Sequence, residues 1–129
     1  MQLHHIALGA RDVDGVAEFY REVFGLTEIK RHHYDDGAGL RSVWLDTGGC
    51  VLMVEHTLEP IASETAFVNG VNAGPFLLAF AVDEEDLEGI ERALHAFGRE
   101  IESRSSYTSY ARDPEGNRVA ISHAPLRSL

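Results

Sequence analysis

Histidine is the residue type in this sequence with the widest chemical range, because an imidazole can accept a proton or bind a metal ion. Two of the seven histidines, His4 and His5, are adjacent near the amino terminus within a short apolar segment. Side chains that follow one another in a strand point to opposite faces, so only one of the two can face a given site. Beside a substrate proton, such a histidine could act as a general base.

The other histidines lie in settings that favour structural or solvated roles. His32 and His33 belong to a polar segment that ends at acidic residues, which favours the solvated edge of a sheet over a metal site. His56 and His123 each follow an apolar strand and are expected to point away from any cavity. His95 falls on the polar side of a helix and is expected at the surface.

Composition indicates one globular domain of 129 residues with a net charge of -10, from 11 basic and 21 acidic residues. This charge disfavours nucleic acid and anionic membrane surfaces as partners. The single cysteine, Cys50, excludes an internal disulfide and is interpreted as a small hydrophobic residue. The sequence shows no secretory signal and no membrane-spanning apolar run, so we expect a cytoplasmic protein.

The first part of the chain predicts a strand, a helix and three more strands. Asp12 is a suitable N-cap for a helix with an apolar stripe, and Gly25 lies where a left-handed C-cap is needed. The flanking segments are short and bounded by glycine turns, as in an antiparallel meander. The strands are predicted at Leu3–Ala10, Thr27–Tyr34, Leu40–Leu45 and Cys50–Glu55.

The same order is predicted again after a linker at residues 57–74. Asp83 would cap a second helix, Gly98 would end it, and Asp113–Asn117 would form a tight turn. The strands are predicted at Pro75–Val82, Arg99–Ser103, Tyr107–Ala111 and Arg118–Ser122. We therefore predict an α+β fold in a single domain, residues 1–129, made of two tandem βαβββ units at residues 1–56 and 75–129. A plain α+β sandwich without duplication is the alternative.

Three segments in this order and spacing resemble the vicinal-oxygen-chelate superfamily of glyoxalases, bleomycin-resistance proteins and extradiol dioxygenases. They are Leu3–Leu8, Glu18–Leu26 and Asp113–Asn117. The resemblance extends from Leu3 to His123 and implies that the mixed sheets of the two units curl around a cavity. It also implies a homodimer, although one chain could form the cavity alone.

The resemblance further implies four metal-ligand positions, two in each unit. They correspond here to His5, Met53, Leu77 and Ala120, of which only His5 is an ordinary ligand for Zn, Ni, Mn or Fe. We therefore expect no metal cofactor. A fallback set would combine His5 with Glu55, if a bulge or a shift in register brought that carboxylate toward the cavity.

Aromatic and basic side chains in the central strands are candidates to line the cavity, since Trp and Tyr combine a large apolar surface with a polar tip. The candidates are Arg41, Trp44, Tyr107 and Tyr110, together with Met53, Glu55, Leu77 and Ala120. An ordinary core role stays open for each of the aromatic residues.

These patterns support three hypotheses about function. The first is a protein that binds a small organic molecule without the four-ligand metal site. The second is a metal-dependent lyase, isomerase or dioxygenase with an unusual ligand set including His5 and possibly Glu55. The third is a metal-independent enzyme in which His5 acts as the base.

Overall fold

The order strand, helix and three strands occurs twice along the chain. The computed structural model describes residues 1–61 and 73–125. The first unit contains β1 (His5–Ala10), α1 (Val13–Phe24), β2 (Thr27–His33), β3 (Leu40–Asp46) and β4 (Val51–His56). The second contains β5 (Leu78–Ala81), α2 (Leu87–Ala96), β6 (Ser103–Arg104), β7 (Thr108–Arg112) and β8 (Arg118–Ser122).

Each unit has its own four-stranded mixed sheet with the same strand order. In the first sheet the order is β1-β4-β3-β2, and in the second it is β5-β8-β7-β6. The first strand of each unit pairs in parallel with the last, and the three later strands pair antiparallel. The predicted α+β fold of two βαβββ units is thereby confirmed.

The chain divides into two compact units, Met1–Ala62 and Ser63–Leu129. Of the predicted linker at residues 57–74, residues 62–72 lie outside the described part of the chain. No helix among the described residues is both long enough and apolar enough to cross a membrane.

Helix α1 begins and ends where the sequence indicates. The Asp12 carboxylate accepts a hydrogen bond from the backbone N–H of Gly15, and Gly25 adopts the left-handed conformation with φ of 69°. Between these caps, one face of the helix is buried together with the alternate residues of β3 and β4 that face it. These sheet residues are Val43, Leu45, Leu52 and Val54, and they define the face of the first sheet that packs on α1.

Strand β2 contains a bulge at Ile29, since Glu28 pairs with Leu45 whereas Lys30 pairs with Trp44. The extra residue allows Glu28 and Arg31, three positions apart, to face α1. Glu28 forms an ion pair with Arg21 at 2.9 Å, and Arg31 forms one with Asp14 at 2.9 Å. Lys30 and His32 consequently lie on the opposite face.

The second unit departs from the prediction at three boundaries. Strand β5 is shorter than the predicted Pro75–Val82, and β6 has two residues where Arg99–Ser103 was predicted. Asp83 precedes a 3-10 turn, Glu84–Asp86, and α2 starts only at Leu87.

The predicted tight turn between β7 and β8 is built around the side chain of Asp113. This carboxylate is fully buried and accepts hydrogen bonds from the backbone N–H groups of Glu115 and Asn117, each at 2.9 Å. It also accepts one from the side-chain amide of Asn117 at 2.9 Å. The turn is therefore held by an internal polar network.

Candidate functional site

The face of the first sheet opposite α1 carries the predicted site residues of the first unit. Trp44 is the direct cross-strand partner of Met53, and Met53 in turn pairs with Ala7 of β1. His5 precedes Ala7 by two residues and Glu55 follows Met53 by two, so strand alternation places all of them on this face. The structure thus brings His5, Trp44, Met53 and Glu55 to one side of one sheet, here called the site face.

His5 lies at the exposed start of β1, where its neighbour His4 contacts it. The Nδ1 atoms of the two rings are 2.8 Å apart, which requires that one donates a proton to the other. The Nδ1 atom of His5 is therefore engaged, and its Nε2 is the nitrogen left to meet a ligand.

The fallback metal pair, His5 with Glu55, is separated by the register of β1 and β4. His5 pairs with Val51, four residues before Glu55, and the pairing continues without a bulge through all six positions of β1. At about 3.3 Å per residue, the two positions lie about 13 Å apart along the strands. In this register the two side chains are too far apart to hold one ion together.

Arg41, which was predicted to line the site with Trp44, is an exposed residue of β3. The pairing of β2 with β3 is irregular at this point, since His32 pairs with Ser42 whereas His33 pairs with Leu40. The ladder passes over Arg41, so alternation from Trp44 does not assign its side chain to a face. Its place at the site stays a prediction.

The second unit repeats the geometry at Tyr110 and Ala120. These residues are direct cross-strand partners in β7 and β8, and Ala79 of β5 pairs with Ala120 on its other side. Leu77, the fourth predicted position, is half-buried and lies one residue before β5. Each unit therefore places an aromatic side chain opposite the position where the resemblance implies a metal ligand.

Tyr107, which was predicted to line the site with Tyr110, lies just before β7. It is 52% exposed and contacts the ring of His123, with the centroids 5.4 Å apart. Its place at the site stays a prediction.

The sequence analysis missed two residues beside Trp44. The ring of the half-buried His32 lies 5.2 Å from the Trp44 ring, and Nζ of Lys30 lies 5.2 Å from the centroid of that ring. His32 is thus not the exposed residue that the polar segment suggested. The bulge at Ile29 changes which residues of β2 share a face, and no pattern in the sequence marks it clearly.

A buried arginine of the second unit was also missed. Arg118 is 8% exposed, and its guanidinium lies 4.3 Å from the ring centroid of Phe76. Burial lowers the pKa of Arg118, and the nearby charge of Arg112 lowers it further. The cation–π contact offsets part of the cost of removing this charge from water.

The remaining candidates take structural positions. His56 forms a 2.8 Å hydrogen bond with the hydroxyl of Tyr34, and His95 forms an exposed ion-pair contact with Glu100 at 2.9 Å. Cys50 is half-buried, with its Sγ 3.5 Å from the hydroxyl of Thr47.

A separate cavity of about 470 Å³ opens in the second unit where α2 begins. It is lined by Asp83, Asp86, Ile90, His123 and their neighbours. None of the positions that the resemblance assigns to a metal or a ligand lines this cavity, so it is distinct from the predicted site.

Within residues 1–61 and 73–125, no three His, Cys, Asp or Glu side chains are arranged to hold a metal ion. Comparison with protein families matches residues 2–121 to the Glyoxalase/Bleomycin resistance protein/Dioxygenase superfamily. The chain belongs to this superfamily. Comparison with curated proteins finds no match.

Several solved structures share the fold of this chain. The fosfomycin resistance protein FosX from Mesorhizobium loti is 15% identical, with a TM-score of 0.75 over 98% of this chain and 94% of that chain. A FosX variant from Listeria monocytogenes, in complex with Mn(II) and 1S,2S-dihydroxypropylphosphonic acid, is 16% identical, with a TM-score of 0.77 over 98% and 94%. Lactoylglutathione lyase from Agrobacterium tumefaciens is 22% identical, with a TM-score of 0.67 over 98% and 96%. At these identities the superfamily members share the fold and need not share an activity.

Proposed function

We propose that this superfamily member binds a small organic molecule and does so without the four-ligand metal site of its metal-dependent relatives. The observation that carries the proposal is the pairing of Trp44 with Met53 in one unit and of Tyr110 with Ala120 in the other. In both units an aromatic ring lies beside an apolar residue where a ligand atom would be needed.

The chemistry of these positions does not fit a catalytic divalent ion. Zn, Ni, Mn and Fe are held in such sites by imidazole and carboxylate groups. Met53, Leu77 and Ala120 offer no such donor, which leaves His5 as the one ordinary ligand of the four. Glu55 lies too far along β4 from His5 to complete a set.

The same substitutions suit an apolar guest. Met53 is a flexible side chain that adapts to irregular shapes, and its aromatic neighbour offers a flat apolar surface. Small-molecule sites are mostly apolar, with a few polar groups that fix the orientation of the ligand. Glu55 and His5 are polar groups of this kind at the two ends of the site face.

Elemental analysis of protein purified without chelators tests the absence of a metal. We expect much less than one divalent ion per chain, and about one tightly held ion per chain would contradict the proposal. Titration with the neutral dye N-phenyl-1-naphthylamine tests the apolar site. We expect saturable binding in metal-free buffer that is weakened by Met53→Glu, which introduces a charge beside Trp44.

A second candidate function is proton transfer by His5. The 2.8 Å contact between the Nδ1 atoms of His4 and His5 favours it, because it orients the ring and leaves Nε2 to accept a proton from a bound substrate. If this function is correct, His5→Ala abolishes turnover in metal-free protein while dye binding persists. His4→Ala would reduce turnover less, because it acts only through the orientation of His5.

We also propose that the protein is a homodimer, as the resemblance implies for a chain of this length, and that it is cytoplasmic. Sedimentation equilibrium tests the assembly and should give twice the chain mass of 14.2 kDa. A monomer at micromolar concentration would contradict it without affecting the proposal for the site face.

A further inference from the structure

Two ring nitrogens on the site face are buried and lack a hydrogen-bond partner in the part of the chain that the structure describes. They are Nε1 of Trp44 and Nε2 of His32. Buried polar atoms in folded proteins nearly always have a partner, whether protein, water or ligand. The indole nitrogen can only donate a hydrogen bond, so the partner it lacks is an acceptor.

The register of β2 and β3 explains why these groups lie together. Lys30 is the direct cross-strand partner of Trp44, and His32 follows two residues later on the same face. The Trp44 ring, which carries its own N–H donor, therefore has the His32 ring and the Lys30 ammonium as neighbours. Without the bulge at Ile29, alternation would direct Lys30 and His32 toward α1.

We propose that Trp44, His32 and Lys30 recognise a carboxylate or a similar oxyanion of the bound organic molecule. This inference rests on the proposed function and adds a ligand class to it. The oxyanion would accept a hydrogen bond from Trp44 Nε1 and pair with the Lys30 ammonium. His32 Nε2 would donate a second hydrogen bond in the tautomer that carries its proton there.

The approach of the ligand depends on Lys30. Its side chain is exposed and lies over the indole ring, where a long flexible chain can move at little cost. When Lys30 moves from the ring to the oxyanion, the indole becomes accessible, and the apolar part of the ligand can pack against Met53.

Neighbouring charges determine where on the site face the oxyanion would lie. Glu55 lies in the same cross-strand row as His32, with Ser42 between them, and it disfavours an anion next to itself. The oxyanion would therefore lie on the side of this row that faces Lys30 and Trp44. Arg31 does not contribute, because it is held on the opposite face by Asp14 and Glu28. Lys30 is therefore the cation that directs the anion to Trp44, in a chain whose net charge is -10.

The experiment uses the fact that Trp44 is the single tryptophan of the protein, so intrinsic fluorescence reports on this site alone. The emission of the full chain is titrated with hexanoate and with hexanamide, which have the same apolar chain but differ in charge. We expect hexanoate to bind about tenfold more tightly, since hydrogen bonds to a charged group are the stronger ones. For variants whose own emission is altered, such as Trp44→Phe, calorimetry measures the affinity instead.

Trp44→Phe keeps an aromatic ring but removes the donor, and Lys30→Met keeps the length but removes the charge. Each should weaken hexanoate binding by about fivefold to tenfold. Lys30→Met should leave hexanamide binding unchanged, because the amide has no charge to pair with the ammonium. Glu18→Ala is the control, because Glu18 is an exposed residue of α1 away from the site face and should affect neither probe.

Equal affinity for hexanoate and hexanamide would overturn the inference, as would unchanged hexanoate binding in Lys30→Met. The second variant keeps the test valid if Trp44→Phe fails to fold. If neither probe binds but N-phenyl-1-naphthylamine does, the recognition of an oxyanion is wrong and the proposed function stands. If the dye also fails to bind, the proposed function is wrong as well.

Discussion

Trp44 lies directly opposite Met53 in the register of β3 and β4, on the face of the sheet that α1 does not cover. The ring and the thioether side chain together form an apolar surface beside His5. Since both are only half-buried, they contribute less to the folded core than the residues that alternate with them. Substitutions on the site face should therefore affect ligand binding more than folding stability, and substitutions of the buried residues should do the reverse.

Met53→Ala should weaken binding of N-phenyl-1-naphthylamine by about threefold to tenfold, because it removes apolar contact area next to Trp44. The variant should lose less than about 1 kcal/mol of unfolding free energy. Val54→Ala is the control, since Val54 is fully buried against α1 and should cost about 1–3 kcal/mol without changing dye affinity. Dye titration and urea denaturation measure the two quantities, and the opposite pattern would mean that the faces are assigned wrongly.

Asp12→Ala should destabilise the protein by about 1 kcal/mol, because it removes the side chain that accepts a hydrogen bond from Gly15 at the start of α1. Glu18→Ala is the control, since Glu18 is an exposed residue in the middle of the same helix. Chemical denaturation followed by circular dichroism measures both. Equal effects of the two substitutions would argue that the cap does not stabilise the helix.

Stability should fall in acid through the ion pair between Glu91 of α2 and Arg104 of β6. The hydrogen bond from Arg104, and to a smaller extent that from Ser109, lowers the pKa of Glu91 below its ordinary value of 4.5, against the opposing effect of burial. A carboxylate with a lowered pKa contributes stability that is complete above pH 4.5 and is lost as the pH falls through its folded value.

Glu91→Gln should therefore reduce stability at pH 7 by about 1 kcal/mol or less and flatten the decline below pH 4.5. Glu88→Gln is the matched control on the same helix, because the Glu88 side chain is 86% exposed in its ion pair with Arg92. Urea denaturation at several pH values gives the comparison. The explanation fails if Glu88→Gln changes the acid profile as much as Glu91→Gln does.

Asp113→Ala should be the most destabilising of these substitutions, at about 2–4 kcal/mol, because it leaves half-buried donors of Glu115 and Asn117 without their acceptor. Pro114→Ala in the same turn removes an exposed ring and should cost about 0.5–1 kcal/mol. Thermal and urea denaturation test this order. A small effect at Asp113 would indicate that water replaces the carboxylate.

Much of the fold could be predicted from local signals. The stripe of α1 between Asp12 and Gly25 and the turn at Asp113 are set by residues close together in the sequence. The hydrogen bonds that form these features join residues only a few positions apart, so the local sequence is enough to predict them. The repetition of this order in the second unit then indicated the duplicated fold.

The site was harder to predict because it depends on which residues of neighbouring strands face each other. Arg41 and Tyr107 were assigned to the site from residue type, but Arg41 lies where the pairing of β2 with β3 is irregular and Tyr107 lies just outside β7. His32 and Lys30 were missed because one extra residue in β2 reverses the alternation. Such a shift depends on pairing with β3 and leaves little trace in β2 itself.

Because of the bulge at Ile29, the seven residues of β2 place one set of side chains toward α1 and another on the site face. Each set can change during evolution without the other. Substitutions at Lys30 or His32 can alter ligand preference while Glu28 and Arg31 continue to anchor the strand to the helix. If Ile29 instead paired with Trp44, the two sets would be exchanged at once, turning the anchoring charges outward and the recognition groups inward. During evolution this strand should therefore accept new side chains far more readily than a change in its pairing with β3.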